Sequence, residues 1–310
     1  MSSRCISQLG MSDNASRLVT SYKKLNEKFN TTVKGQFNHT IIIRTGNVTI
    51  NGDDLDCEFT IPFDDDTEAN EAEIIIYNLS SKTISGMQKY AKITVTAGYG
   101  KDTGLIFSGY IMSKKTKYED CDKVTTIKAL DDRNRKEKKI TSVTFAKKTK
   151  ASKILRYLCK KVGLPIAQFS IKRDYTYKDE ETVDGELMDN IKRLAKICGV
   201  SAYILKGKIY VRPLNTGDNT TFTLSTDTGL LDISEYSETE TNEIYQDTTK
   251  GYEVEMLLQH QIQTASIITV KSKTAKGKYR VKSGSHEYDG TNMVTKAKLV
   301  AQISTKVKKG

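Results

Sequence analysis

Residues 71–112 read EAEIIIYNLSSKTISGMQKYAKITVTAGYGKDTGLIFSGYIM. Ile74, Ile75, Ile76 and Tyr77 are a β-branched and aromatic run closed by Asn78, the mark of a strand. Ser80 or Ser81 can then cap one or two helical turns, because a short hydroxyl side chain accepts from the free N–H groups of a first turn. Ile93, Val95 and Ala97 alternate with Lys92, Thr94 and Thr96, so the next strand has one apolar and one polar face. Gly98 and Gly100 break it, and Leu105, Phe107 and Gly109-Tyr110-Ile111 restart a third strand. Short strands with glycine at the corners predict a barrel-like β-domain.

Strand patterns continue on both sides. Ile41–Ile43, Val48–Ile50, Cys57–Ile61 and Lys123–Leu130 read as strands, with Asn51-Gly52-Asp53-Asp54 as a turn and Asp131-Asp132-Arg133 ending the last. The period then changes. Ile154, Leu155, Leu158, Cys159 and Val162 follow helical spacing up to Gly163, and Met188, Ile191, Leu194, Ala195 and Cys198 do so up to Gly199. Residues 201–205 and 208–211 flank Lys206-Gly207 as a hairpin that Pro213 ends. Strands return at 221–224, 251–256, 266–270, 278–281 and 293–300, with Gly277, Gly284 and Asp289-Gly290 as turns. The expected organisation is an arm over 1–35 that orders on assembly, β-domains over 36–145 and 215–310, and a small α/β module over 146–214. In the arm, Leu18, Val19, Tyr22, Leu25 and Phe29 give one apolar helical stripe.

A chain of 310 residues can hold two or three domains with real cores. No apolar run approaches the ~18 residues of a membrane helix, so no membrane insertion is expected. Residues 1–6 lack a hydrophobic signal core, which implies synthesis in a cytoplasm. Cys5, Cys57, Cys121, Cys159 and Cys198 are odd in number and widely spaced, against a disulfide framework or a zinc site with CxxC arms. The net charge of +11 is unevenly spread. Residues 53–73 hold ten acids and no base, and 227–247 seven acids and no base. Residues 133–161 hold twelve bases and one acid, and 271–309 eleven bases and two acids. Alternating blocks suit contacts between protein subunits, whereas a nucleic-acid binder favours one dominant basic field.

The opening stretch resembles the first β-domain of one family, the central baseplate hub of contractile phage tails and tail-like particles (late control protein D-like). That pattern, EAEI-x-IYNLS-x-x-T, then AGY, then G-x-IF-x-G-x-I, is met by Glu71–Ile74, Tyr77–Ser80, Thr83, Ala97–Tyr99, Gly104, Ile106, Phe107, Gly109 and Ile111. A second pattern of the family, G-x-Y-x-V-x-S-x-x-H-x-Y-D-G, is met by Gly277, Tyr279, Val281, Ser283, His286, Tyr288, Asp289 and Gly290. Where the family has A-G-D-x-I this chain has Ala265-Ser266-Ile267, a departure at a turn. The resemblance implies two tail-tube-like β-barrels flanking the α/β module. It also implies a homotrimer with pseudo-sixfold symmetry, joining the hexameric tail tube or tube-initiator protein to the trimeric central spike. Baseplate wedge proteins are implied neighbours, with the tape-measure protein as a further candidate. The host particle is a virion or a tail-like bacteriocin assembled in a bacterium.

Residue chemistry gives little reason to expect an enzyme or a cofactor. His286 reads as a turn histidine with satisfied hydrogen bonds. Cys159 and Cys198 sit late in their helices, the wrong end for lowering a thiol pKa. GYGKDTG at 98–104 lacks the Gly-Lys-Ser/Thr ending of a phosphate loop. Glu180-Glu181 and Asp64-Asp65-Asp66 read as solvated loop carboxylates. Candidate contact residues are Ile74, Ile76 and Tyr77 on a barrel strand, and Lys147, Lys148, Lys153 and Arg156 around a basic helix. The basic helix either meets acidic blocks of a neighbouring subunit or contacts phosphates, with Tyr157 stacking on a base. The rival readings are an OB-like single-stranded nucleic-acid binder and a module that binds or hydrolyses cell wall.

Overall fold

A computed structural model describes residues 38–67, 69–131, 139–205 and 208–308. The 1–35 arm, the Lys206-Gly207 tip and the Asp132-Arg133 strand end lie outside them. The first block holds β1 (His39–Thr45), β2 (Val48–Asn51), β3 (Cys57–Phe63), β4 (Glu71–Tyr77), α1 (Ser81–Gly86), β5 (Lys92–Tyr99), β6 (Asp102–Glu119) and β7 (Asp122–Leu130). The second holds β8 (Lys139–Phe145), α2 (Ala151–Val162), β9 (Ile166–Phe169), β10 (Glu181–Glu186), α3 (Leu187–Cys198), β11 (Val200–Leu205) and β12 (Lys208–Pro213). The third holds β13 (Asp218–Leu224), β14 (Leu230–Thr241), β15 (Tyr245–Leu257), β16 (Ser266–Lys271), β17 (Lys276–Tyr288) and β18 (Met293–Val307).

Local signals act as the residues dictate. Ser80 caps α1, accepting from the Thr83 N–H at 3.0 Å. Both twelve-residue helices end on left-handed glycines, Gly163 (φ 81°) and Gly199 (φ 68°). β5 differs from expectation: it runs through Gly98 to Tyr99, and the turn comes at Gly100. Ala265, at the point of family departure, takes φ +64°, a left-handed conformation that normally favours glycine.

The structure is mainly β, dominated by one thirteen-stranded sheet in the order β14-β15-β18-β17-β3-β4-β7-β6-β5-β1-β2, with β16 and β13 branching from β17. The expected barrels are not closed by hydrogen bonds among the described residues; the path is open from β14 to β2. The first and third blocks are joined where β17 pairs antiparallel with β3, from Gly284 opposite Phe63 to Tyr288 opposite Phe59. Gly284 is therefore not a turn but lies inside β17, where a Cβ would strike the Lys296 carbonyl oxygen of β18 and the Phe63 ring. The β-branched face of β4 meets those of β1, β3, β5 and β7 in one core that includes Ile43, Phe59, Ile74, Ile76, Val95 and Ile127. Leu258 and Met293 of the third block complete it. A second core packs α2 and α3 on β11 and β12, and a third is built from β13 to β18.

Candidate assembly surfaces

Two buried arginines tie the blocks together. Arg280 of β17 donates to Asp65 Oδ2 (2.7 Å), to Ser201 Oγ of β11 (3.2 Å) and to the Thr216 carbonyl (2.9 Å). Arg212 of β12 donates to Tyr203 Oη (2.7 Å), Gln168 Oε1 (3.2 Å) and both Asp218 oxygens (3.1 and 2.9 Å). Each side chain is 2% exposed or less, so its charge depends on these partners and, for Arg212, on the Tyr203 and Tyr210 rings, whose centres lie 5.6 and 5.2 Å away. Asp66 holds Lys192 of α3 at 2.6 Å. Burial pushes its carboxyl up, but Lys192 and the Thr67 N–H outweigh that and leave it below the ordinary range. The Asp64–Asp66 segment is thus a junction and not a solvated loop, because Asp65 meets Arg280 of β17, Asp66 meets Lys192 of α3, and Asp64 accepts from the Asp66 N–H. Glu181 is likewise engaged, with Arg193 at 2.7 Å.

The acidic 227–247 block is also largely paired inside the chain. Arg173 donates to both oxygens of Asp247 (3.1 and 2.6 Å) while its guanidinium lies 3.9 Å from the centre of the Tyr245 ring. Lys282 reaches Glu238 and Glu240 at 3.1 and 3.5 Å, and Lys196 reaches Glu240 at 3.3 Å. Ile244 and Tyr245 pack on the helical core, so the far end of β14 and β15 clasps the α/β block.

The predicted contact residues separate. Ile74 and Ile76 are fully buried, and both edges of β4 are already paired, with β3 and with β7. They are core, not contact, because the alternation that makes them apolar turns them inward. Tyr77 points to the opposite face and donates to Glu58 Oε1 at 2.8 Å. Lys147, Lys148, Lys153 and Arg156 are all exposed, on and just before α2. The aromatic rings beside them are occupied: Arg156 covers Phe169 at 3.9 Å, while Tyr157 meets Phe145 edge-on and lies under Lys161.

His286 lies within β17, not in a turn, and is fully buried with both ring nitrogens engaged. The Gln259 N–H donates to Thr295 Oγ1 (3.0 Å), whose hydroxyl donates to His286 Nδ1 (2.9 Å). The Nε2–H donates to the Ile262 carbonyl (3.1 Å). Burial holds the imidazole neutral, at a pKa of about 4. Burial pushes the Cys57, Cys159 and Cys198 thiols up to about 12, the opposite of what a nucleophile needs. No cluster of metal-ligating side chains occurs among the described residues, and no helix there is long and apolar enough to cross a membrane.

Two unpaired strand edges were not anticipated from the sequence. Among the described residues β14 pairs only with β15, which leaves its other edge without a partner strand beyond Leu230, whose N–H donates to the Ser225 carbonyl. β6 pairs with β5 only as far as Ile111, yet continues against β7 to Glu119, so among the described residues Ser113–Glu119 has one edge without a partner strand.

Residues 72–283 match the family model described as baseplate hub gp41. The chain belongs to the baseplate hub gp41 family. It is therefore a structural component of a tail baseplate. Among solved structures, the hub is similar to a tail protein from Neisseria meningitidis MC58, with a TM-score of 0.57 and 9% identity over 86% of this chain and 97% of that one. It is similar to the 43 kDa tail protein of prophage MuSo2 from Shewanella oneidensis, with a TM-score of 0.52 and 10% identity over 84% and 97%. The E. coli c3393 protein, a type VI secretion component described as similar to T4 tail proteins gp27 and gp5, gives a TM-score of 0.54 and 7% identity over 84% and 76%. At these identities the likeness concerns the fold. No curated protein sequence matches the chain significantly.

Proposed function

We propose that three copies of this hub form a ring that joins the hexameric tail tube, or its initiator protein, to the trimeric central spike of a contractile tail or tail-like bacteriocin. The carrying observation is the uninterrupted sheet through the β3–β17 pairing, which sets two β-domains of one chain side by side. Three such pairs present six β-domains, so a threefold ring meets a sixfold tube with near-matching geometry. Residues 36–145 and 215–310 are these two tube-like domains, and 146–214 is the α/β module between them. The module turns the basic face of α2 toward wedge proteins or a neighbouring hub, while the tape-measure protein meets the ring on its axis. The particle is assembled in the bacterial cytoplasm, and the hub's role in it is mechanical and not catalytic. Ring interfaces of this kind bury large, partly apolar areas. The test is mass by light scattering of the hub alone and with tube and spike proteins: a trimer that captures both is expected, and a persistent monomer that binds neither refutes the reading. The nucleic-acid rival requires salt-sensitive micromolar binding to single-stranded DNA without an oligomer, and the cell-wall rival requires lysis in a peptidoglycan zymogram.

A further inference from the structure

We propose that the free edge of β14 in one copy pairs with the free edge of Ser113–Glu119 in β6 of the next copy, carrying the sheet from chain to chain. This deepens the ring reading and rests on it. Seven residues of β6 span about 24 Å, enough for an antiparallel ladder along a little over half of the twelve-residue β14. The other end of the sheet path, β2, offers only four residues.

Charge selects the pairing. β14 carries Asp232, Glu235, Glu238 and Glu240 and no base. The free part of β6 carries Lys114, Lys115 and Lys117 against Glu119. Lys114 is tied to the Ile84 and Met87 carbonyls, which leaves Lys115 and Lys117 exposed, the latter only loosely near Glu119 at 3.8 Å. Asp232 and Glu235 are exposed as well. The sheet already uses this chemistry internally: Glu71 of β4 meets Lys128 of β7 at 2.8 Å, and Glu253 of β15 meets Lys298 of β18 at 3.2 Å. Two β14 edges would oppose acid to acid, and two β6 edges lysine to lysine. Both twofold pairings of these edges are therefore disfavoured in favour of the head-to-tail one, which builds a ring where its rotation closes after three copies.

The test is a charge swap on the full chain, followed by sedimentation and light scattering across a concentration series, with circular dichroism to check folding. Lys115→Glu/Lys117→Glu and Asp232→Lys/Glu235→Lys are each expected to raise the concentration for half-assembly by about tenfold or more. The chain with all four substitutions is expected to recover most of that loss, and added salt to weaken the wild-type ring. A ring that forms equally well in either double variant, or no recovery in the fourfold variant when it is folded, overturns the edge pairing and leaves the ring standing. Recruitment of tube or spike protein to β14 in place of a second hub, seen as a double-variant defect in that capture with the ring intact, also overturns it. A wild-type chain that stays monomeric with tube and spike present overturns both.

Discussion

Acid should loosen this protein through His286. The imidazole lies at the β3–β17 seam, opposite Ile61 in register, packed on Phe63 at 5.0 Å between ring centres. Burial is the main reason its pKa falls to about 4; the hydrogen bond to the Ile262 carbonyl opposes the fall, and nearby His260 adds to it. In the unfolded chain the ordinary value is 6.5. The folded state therefore prefers the neutral ring, and stability is complete above 6.5 and drains away as pH falls toward 4. A shift from 6.5 to about 4 corresponds to about 3.4 kcal/mol at the limit, and to about 2 kcal/mol at pH 5. The assay compares urea unfolding of wild type and His286→Gln at pH 7.5 and 5. Carboxylates common to both cancel in the difference, and Gln keeps an N–H for Ile262. Wild type should lose about 2 kcal/mol relative to the variant over that interval. An NMR titration gives the direct check: an imidazole that protonates near pH 6.5 in the folded protein refutes the reasoning, as does a pH-independent difference between the two proteins.

Two further perturbations address the same seam. Arg280→Met or Asp65→Leu alone should cost about 3–5 kcal/mol because each strands a buried partner, whereas the two together should cost clearly less than their sum; thermal melts of the four proteins form the cycle, and additive losses would contradict the pairing. Gly284→Ala should destabilise by about 1–3 kcal/mol, since its Cβ meets the Lys296 carbonyl and the Phe63 ring, and hydrogen exchange should quicken along β3 and β17 and not in α2; an unchanged melt would contradict the close approach.

What could be read from the sequence was local. The helical faces ending at Gly163 and Gly199, the Ser80 cap and the alternation of β5 are each written within a dozen residues, and the structure shows them. β14 was illegible because Ser234–Thr241, reading SEYSETET, exposes much of both faces and so lacks an apolar period; it looked like a charge block. The second half of β6 was missed for the same reason at KKTKYE. Gly284 reads as a turn in the sequence because a glycine inside a strand pattern marks either a bend or a close backbone approach, and only the packed Phe63 decides which. Ile74 and Ile76 were legible as strand but not as interior on a strand paired on both sides, since that depends on β3 and β7 flanking β4. The Arg280–Asp65 contact spans 215 residues, and nothing in either neighbourhood announces the other.

The alternating charge blocks illustrate how much folding can consume. Acids of 53–73 meet Arg280, Lys192 and Lys128; acids of 227–247 meet Lys282, Lys196, Arg193 and Arg173. The exposed pairs among these add little stability, and for the buried Arg280–Asp65 pair desolvation offsets attraction, but a wrong pairing there leaves an uncompensated charge and is strongly disfavoured. Their effect is to fix how the α/β block and the two β-halves sit against one another, and a rigid hub needs that geometry. The cations left over are then informative. Lys147, Lys148 and Lys153 beside α2 and Lys115 on β6 are exposed, and internal pairing has already used much of the acid that could have met them. Charge that the fold does not use is charge available to a neighbour, so the basic rim of α2 and the free edge of β6 are where a second molecule gains most from carrying acid.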